Sequence, residues 1–250
     1  MSIVQAVRDF LNRKVSVPPA SQAAKESVST LDTYWTSPEG IVRQYLALVK
    51  DDLAQAEADS LRLSAHYGDF TAFFYRSDFD LFLRQEVLPF QQPTTAHLAF
   101  LDNDHWDAKN PFNFPGPFYS GESDTCGTGP DQAPANVMLD TNGCEFVFKQ
   151  PATHYELLCV VNAAAVEVLD SYSSNGNDHW TTETCRSWWH KRGPLLRALQ
   201  EEKIVKRNEG KAQLYFNYLQ GAAEMDLRRY CYFIETGHYP VTEGTALPAL

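Results

Sequence analysis

The sequence predicts an α+β protein, with a mainly antiparallel sheet and several packed helices in a single compact domain. Helix-like and strand-like segments do not alternate strictly, which argues against a doubly wound parallel sheet. An Asn-Gly pair at 142–143 lies between two apolar runs, as in a β-hairpin. Aromatic residues make up 13% of the chain, which favours strands. We expect the domain to cover residues 31–250, after an N-terminal amphipathic segment and flexible linker over 1–30.

The chain before residue 102 contains one clear helix and several ambiguous apolar segments. The Ser-Pro-Glu sequence at 37–39 supplies an N-cap hydroxyl, a proline at the first helical position and an acid in the first turn. The apolar stripe that follows predicts a helix over about 38–66. Residues 70–76 and 95–101 are apolar and aromatic and predict strands. The segment 78–88 fits a helix or a strand equally well.

The hairpin and the helix after it carry the strongest local signals. Residues 137–139 and 146–148 flank the Asn-Gly turn and predict its two strands. Thr153 and Glu156 have the spacing of a capping box, which predicts a helix over about 154–166.

The C-terminal part predicts further helices and two more strands. A helix begins near Thr181, is broken at Gly193-Pro194 and continues over 195–203. Aromatic, apolar runs at 212–219 and 226–235 predict strands, and the second run also fits a helix.

Residues 102–136 differ in kind from the rest of the chain. They contain five prolines and four glycines, are rich in aromatic side chains and follow no regular period. A segment this long without secondary structure is usually functional or disordered, and aromatic enrichment argues against disorder. We predict a long ordered loop with a functional role.

The loop contains residues that could carry an enzymatic reaction. In this alternative, the protein is a hydrolase or transferase that uses residues 102–126, with Cys126 as the nucleophile and His105 as its base. In a second form of the alternative, loop carboxylates hold a hard cation. The structural interpretation is that the carboxylates cap turns while the rings pack against the body. The carboxylates that could bind a cation are Asp104, Asp107, Glu122 and Asp124.

Composition and motif content favour a binding protein over an enzyme. Lys and Arg number 21 and Asp and Glu 32, a net charge of −11, so we expect no nucleic-acid partner. No run approaches the roughly 20 apolar residues of a membrane helix, so we expect no membrane partner. Specific phosphate-loop, zinc-protease and nucleophile-elbow motifs are missing from the sequence, and we expect no metal and no cofactor.

We therefore predict a soluble, acidic, bacterial-type binding or inhibitory protein that recognises a basic protein partner, as immunity proteins do. Aromatic and acidic residues of the loop are the predicted contacts, since rings anchor interfaces and carboxylates attract basic partners. The predicted binding residues are Asp104, Asp107, Phe118, Tyr119, Glu122 and Asp124.

The five cysteines predict a cytoplasmic protein. Their number is odd, their spacing is wide and no Cys-x-x-Cys motif occurs, so they do not form a disulfide framework. Residues 1–19 also contain no unbroken apolar run that could serve as a signal segment.

One short motif occurs twice. Asn-Asp-His-Trp is found at 103–106 and again at 177–180, with flanks that do not match. We interpret it as turn and cap chemistry, because Asn and Asp side chains hydrogen-bond to nearby backbone groups. The second copy directly precedes a predicted helix start, where a cap is expected.

Overall fold

The structure is a computed structural model that describes residues 38–91, 101, 103–122, 127–167, 169–240, 242 and 244–250. Within these ranges the α+β class and the antiparallel pairing are confirmed. The prediction of a mainly antiparallel sheet is wrong, because the described strands form two sheets of only two strands each and most regular structure is helical. The segment predicted over 1–30, and the strand predicted over 95–101 apart from Leu101, lie outside the described residues.

The predicted helix over 38–66 is confirmed and ends at Tyr67. The segment 78–88, which fitted a helix or a strand, is helical. No helix in the described ranges combines the length and the apolar character needed to cross a bilayer. The helices of this part are α1 (Pro38–Tyr67), α2 (Phe70–Phe74), α3 (Phe79–Phe82), a π-helical turn (Leu83–Val87) and α4 (Leu88–Gln91).

The strand predicted over 70–76 is wrong, because α2 occupies most of this segment. The Asp69 side chain accepts the N–H of Ala72 and caps the helix. Phe70 and Phe74 stack with ring centroids 5.2 Å apart, a contact that a helix makes between residues four apart.

The predicted hairpin is confirmed. Strands β2 (Val137–Leu139) and β3 (Glu145–Val147) pair antiparallel. Asp140 Oδ1 accepts three backbone N–H groups of the turn, and Gly143 adopts a φ of +96° that glycine tolerates. The second sheet pairs β1 (Tyr119–Ser120) with β4 (Tyr172–Ser173), also antiparallel.

The predicted N-cap at Thr153 is confirmed, and the helix predicted to begin near Thr181 is capped by that threonine. Thr153 accepts the N–H of Glu156, and Thr181 accepts that of Thr184. The remaining helices are α5 (Gly129–Gln132), α6 (His154–Val166), α7 (Gly176–His179), α8 (Thr182–His190), α9 (Gly193–Ala198), α10 (Glu202–Arg207), α11 (Ala212–Gln220) and α12 (Ala223–Thr236).

The prediction of a strand over 212–219 is wrong, because this segment is helical. Residues 226–235, which also fitted a helix, are helical. The buried residues of α11 are Ala212, Tyr215 and Leu219, which follow the three-and-four spacing of a helix face. Aromatic content had favoured a strand, but burial of one helical face against α12 decides the conformation.

Buried apolar side chains form two large clusters. The first surrounds α1, α2, α3 and α6, and the second joins the hairpin to α8, α11 and α12. Tyr75, directly after α2, packs against both clusters.

The middle of the predicted 102–136 loop is packed into the protein. Residues 113–121 are all buried. The Gln150 side chain accepts the Phe118 N–H and donates to the carbonyls of Phe114 and Phe118, so the loop is held against the residues after β3. This packing places residues 103–109 beside β4 and α7.

Candidate functional site

Of the six predicted binding residues, three are exposed, two are buried and one lies outside the described residues. Asp104, Asp107 and Glu122 are exposed. The Glu122 N–H donates to the carbonyl of Ala108, the residue after Asp107. Asp124 lies outside the described residues.

The two predicted aromatic contacts are buried. Phe118 is 0% exposed and packs against the rings of Phe74 and Phe79, so core packing explains it. Tyr119 is also 0% exposed, but its hydroxyl lies 2.9 Å from Asp104 Oδ1 and supports that exposed residue from beneath.

The two Asn-Asp-His-Trp segments meet in the folded chain. The Trp106 ring stacks on His179 at 4.7 Å and 11°, and it meets Trp180 edge-on at 4.9 Å. Asp104 Oδ2 lies 3.0 Å from His179 Nε2. Close backbone approach permits this meeting, because a Cβ on Gly176 would lie 2.1 Å from the Gly116 carbonyl oxygen.

Local hydrogen bonds of the kind predicted for turns and caps are present in the first copy of the motif, but they do not explain the second copy. In the first copy, Asp104 Oδ1 accepts the Trp106 N–H at 2.9 Å, as the structural interpretation expects. In the second copy the helix cap is Thr181, outside the motif. His179 instead pairs with Asp104, which is a long-range contact.

A hydrogen-bond network fixes the Asp104 carboxylate. Besides the Trp106 N–H, the Tyr119 hydroxyl lies near both Asp104 Oδ1 and, at 2.8 Å, Asn175 Oδ1. Partial burial raises the pKa of Asp104, but the hydrogen bonds from Trp106 and Tyr119 and the nearby His179 outweigh it and lower the pKa below 3.8. The carboxylate is therefore charged at neutral pH.

Lys109 lies on the aromatic part of this cluster. Its Nζ is 4.2 Å from the centroid of the Trp106 ring and 5.7 Å from that of Trp180, within cation–π range. Burial lowers the pKa of Lys109, against the opposing effect of Asp107. The Lys109 side chain therefore packs against the two indole rings as well as carrying a charge.

His105 is held by a buried serine. Its Nδ1 lies 2.9 Å from Ser173 Oγ, and that hydroxyl donates to the Asn103 carbonyl at 2.8 Å. Since the hydroxyl hydrogen is used there, Nδ1 must carry the hydrogen of the histidine bond. Ser173 is 0% exposed, so this pair offers no accessible nucleophile. Cys126 lies outside the described residues, and its pairing with His105 stays a hypothesis.

The cation alternative gains no support within the described ranges, where no three His, Cys, Asp or Glu side chains are grouped to hold a metal ion. Asp124, one of its proposed ligands, lies outside those ranges. This alternative also stays a hypothesis.

These contacts define one exposed feature, which we call the Trp106 surface. Its indole is half-buried, its imidazole is stacked on the indole, and its acidic border is exposed. It consists of Asp104, Trp106, Asp107, Glu122 and His179.

The predicted site residues leave out five members of this cluster: Trp106, Lys109, Asn175, His179 and Trp180. The second motif copy, which contains His179 and Trp180, was interpreted only as turn and cap chemistry. The repeated Asn-Asp-His-Trp motif was the available signal, since both copies contribute to the same site. No protein-family model, no curated protein and no solved structure matches the chain, so the geometry of the site carries the functional argument.

Proposed function

We propose that this chain is an acidic binding protein and that the Trp106 surface contacts a basic protein partner. One observation carries the proposal: a half-buried indole is packed against His179, Trp180 and Tyr119, and three exposed acidic residues lie on the backbone segments next to it.

Rigidity of the indole supports a role in binding. Trp106 is in contact with His179, Trp180 and, edge-on at 5.6 Å, Tyr119. Ordering a side chain at an interface costs about 0.5–1.5 kcal/mol, and a side chain that is already fixed avoids much of that cost. Tryptophan is also among the residues that most often dominate binding energy.

The charge of the surface supports a basic partner. Asp104, Asp107 and Glu122 supply three exposed carboxyl groups on the segments beside Trp106, and the whole chain has a net charge of −11. Lys109 is the opposing charge, but it lies over the indole face rather than outside the acidic border. Acidic borders accelerate encounter with basic proteins and repel acidic ones, including nucleic acids.

The inhibitory, immunity-protein-like form of this activity and a cytoplasmic location belong to the same proposal. The four described cysteines are Cys144, Cys159, Cys185 and Cys231, and all are free and buried. Free thiols are typical of a reducing compartment.

The test is capture of the partner with matched tryptophan variants. The wild-type chain, Trp106→Ala and Trp188→Ala are immobilised, exposed to lysate of the source cells at 0.1 M salt, and the retained proteins are identified by mass spectrometry. Trp188 is a half-buried indole on α8 and is not part of the Trp106 surface, so it controls for the loss of an indole.

We expect a basic protein retained by the wild type and by Trp188→Ala but lost with Trp106→Ala. It should also be released at 1 M salt, where the Debye length falls from about 10 Å to about 3 Å. An acidic retained protein, or one retained equally by all three chains, contradicts the proposal.

A further inference from the structure

A second feature, which shares no residue with the Trp106 surface, is an aromatic pocket of about 150 Å³ where the two apolar clusters meet. Its walls come from α2, from the loops around 114 and 150, and from α11 and α12. Small-molecule sites favour such junctions between packed units. We call it the tyrosine pocket, after Tyr75, Tyr218, Tyr230 and Tyr239.

The rings of the pocket provide flat apolar walls. Tyr75 and Tyr239 stack with centroids 3.9 Å apart, and Phe114 packs against Tyr218 at 5.2 Å. A cavity of about 150 Å³ is large enough for a benzene ring, and planar walls favour a planar occupant.

The charged groups around the pocket do not balance. Asp226 accepts the Tyr218 hydroxyl at 2.9 Å and lies 3.5 Å from Arg229. Lys149, which also lines the pocket, forms no ion pair with any described residue. One positive charge is therefore available on the wall.

The Tyr218 hydroxyl on the wall donates its hydrogen to Asp226. Burial and the neighbouring Asp226 raise the pKa of Tyr218, so its hydroxyl stays protonated. The exposed Ala152 and the half-buried Lys149 are both lining residues, so the pocket reaches solvent on their side and a polar group can remain there.

We propose that the tyrosine pocket binds a monocyclic aromatic carboxylate, with the ring in the cavity against the aromatic walls and the carboxylate on the Lys149 ammonium. A cationic ligand is disfavoured because Asp226 is already engaged by Tyr218 and Arg229. This site is independent of the proposed protein-binding function, since no residue of the Trp106 surface lines it.

The experiment is titration of the full chain with benzoate, benzamidine and acetate, followed by calorimetry and by ¹H–¹⁵N spectra. Benzamidine has the same ring with a positive charge, and acetate has the carboxylate without the ring. We expect saturable binding of benzoate, with shifts at the pocket, at least tenfold tighter than either control.

Two variants and one control test whether benzoate binds in this pocket. Lys149→Met should weaken benzoate binding at least tenfold, whereas Lys191→Met, which removes an exposed lysine that does not line the pocket, should leave it unchanged. Tyr239→Leu should also weaken binding by removing the stacked ring, with folding checked by thermal denaturation.

Three results overturn the proposal: no benzoate binding at millimolar concentration, tighter binding of benzamidine, or benzoate binding that is unchanged in Lys149→Met. None of them affects the Trp106 surface, which is tested separately.

Discussion

The Trp106 surface and the tyrosine pocket combine similar groups with opposite results. Both bring aromatic rings together with an aspartate and a lysine. In the first, Asp104 is 51% exposed and Lys109 lies on the indole, which leaves an acidic border. In the second, Asp226 is paired with Arg229 and Lys149 is left without an ion pair among the described residues, which leaves a positive wall. The arrangement of the charged groups, more than residue type, distinguishes the two regions.

The two regions share a chain segment. The Tyr230 hydroxyl, in the pocket wall, donates to Asn177 Oδ1 at 2.9 Å. Asn177 begins the second Asn-Asp-His-Trp copy, which also provides His179. The pocket is thus anchored to the segment that supports the surface, and differences between the two regions can be measured by parallel substitutions.

The largest expected effect is on stability, from truncation in the pocket. Tyr230 is 2% exposed and packs in the second cluster, so Tyr230→Ala should lower the free energy of unfolding by about 3–5 kcal/mol, as large aromatic-to-alanine changes in cores do. Urea denaturation measures it, with the half-buried Tyr232→Ala on the same helix as control. Equal losses for the two variants would show that the pocket wall is not part of the core.

A smaller loss is expected at the Trp106 surface. Trp106→Ala removes ring contacts with His179, Tyr119 and Trp180, and each aromatic pair contributes about 0.5–1.5 kcal/mol beyond burial. Because the indole is half-buried, we expect a total of about 1–3 kcal/mol by urea denaturation. A loss as large as that of Tyr230→Ala would make Trp106 a core residue and remove the contrast between the two regions.

The smallest expected effect is a change in acid stability. Because the pKa of Asp104 is lowered in the folded chain below 3.8, the unfolded chain binds the proton first as pH falls. The stability that this group contributes is present above pH 3.8 and is lost as pH falls through the lower, folded pKa. Asp104→Asn should therefore flatten the decline of melting temperature below that pH.

The control for this measurement is Asp178→Asn. Asp178 is exposed on α7, and no described residue forms a hydrogen bond or ion pair with its side chain. If Asp104→Asn and the wild type lose stability in parallel between pH 5 and pH 2, the carboxylate is not held by its network.

Turns and helix starts were predicted correctly from residues that are close together in the sequence. The Asn-Gly turn, the cap at Thr153 and the helix start near Thr181 could be predicted because the residues that interact are within four positions of each other. The segment 212–219 was misjudged because its aromatic content suggested a strand, while the spacing of Ala212 and Tyr215 already fitted a helix face.

The sites depended on contacts that no local pattern contains. Asp104 and His179 lie far apart in sequence, and their approach requires the glycine contact between Gly116 and Gly176. The tyrosine pocket draws on separate segments of the chain, so a lysine without an ion pair among the described residues becomes visible only in the fold. The repeated motif was the one sequence feature that indicated a shared location.

The most direct test of the Trp106 surface as a binding site is site-specific photo-crosslinking in the source cells. A benzophenone amino acid replaces Asp107, in the acidic border, or His190, an exposed residue at the end of α8. The account predicts a crosslinked product with a basic protein from position 107, none from position 190, and its loss when Trp106→Ala is added. A product from both positions, or an acidic protein from position 107, would contradict the assignment of the Trp106 surface as a binding site for a basic partner.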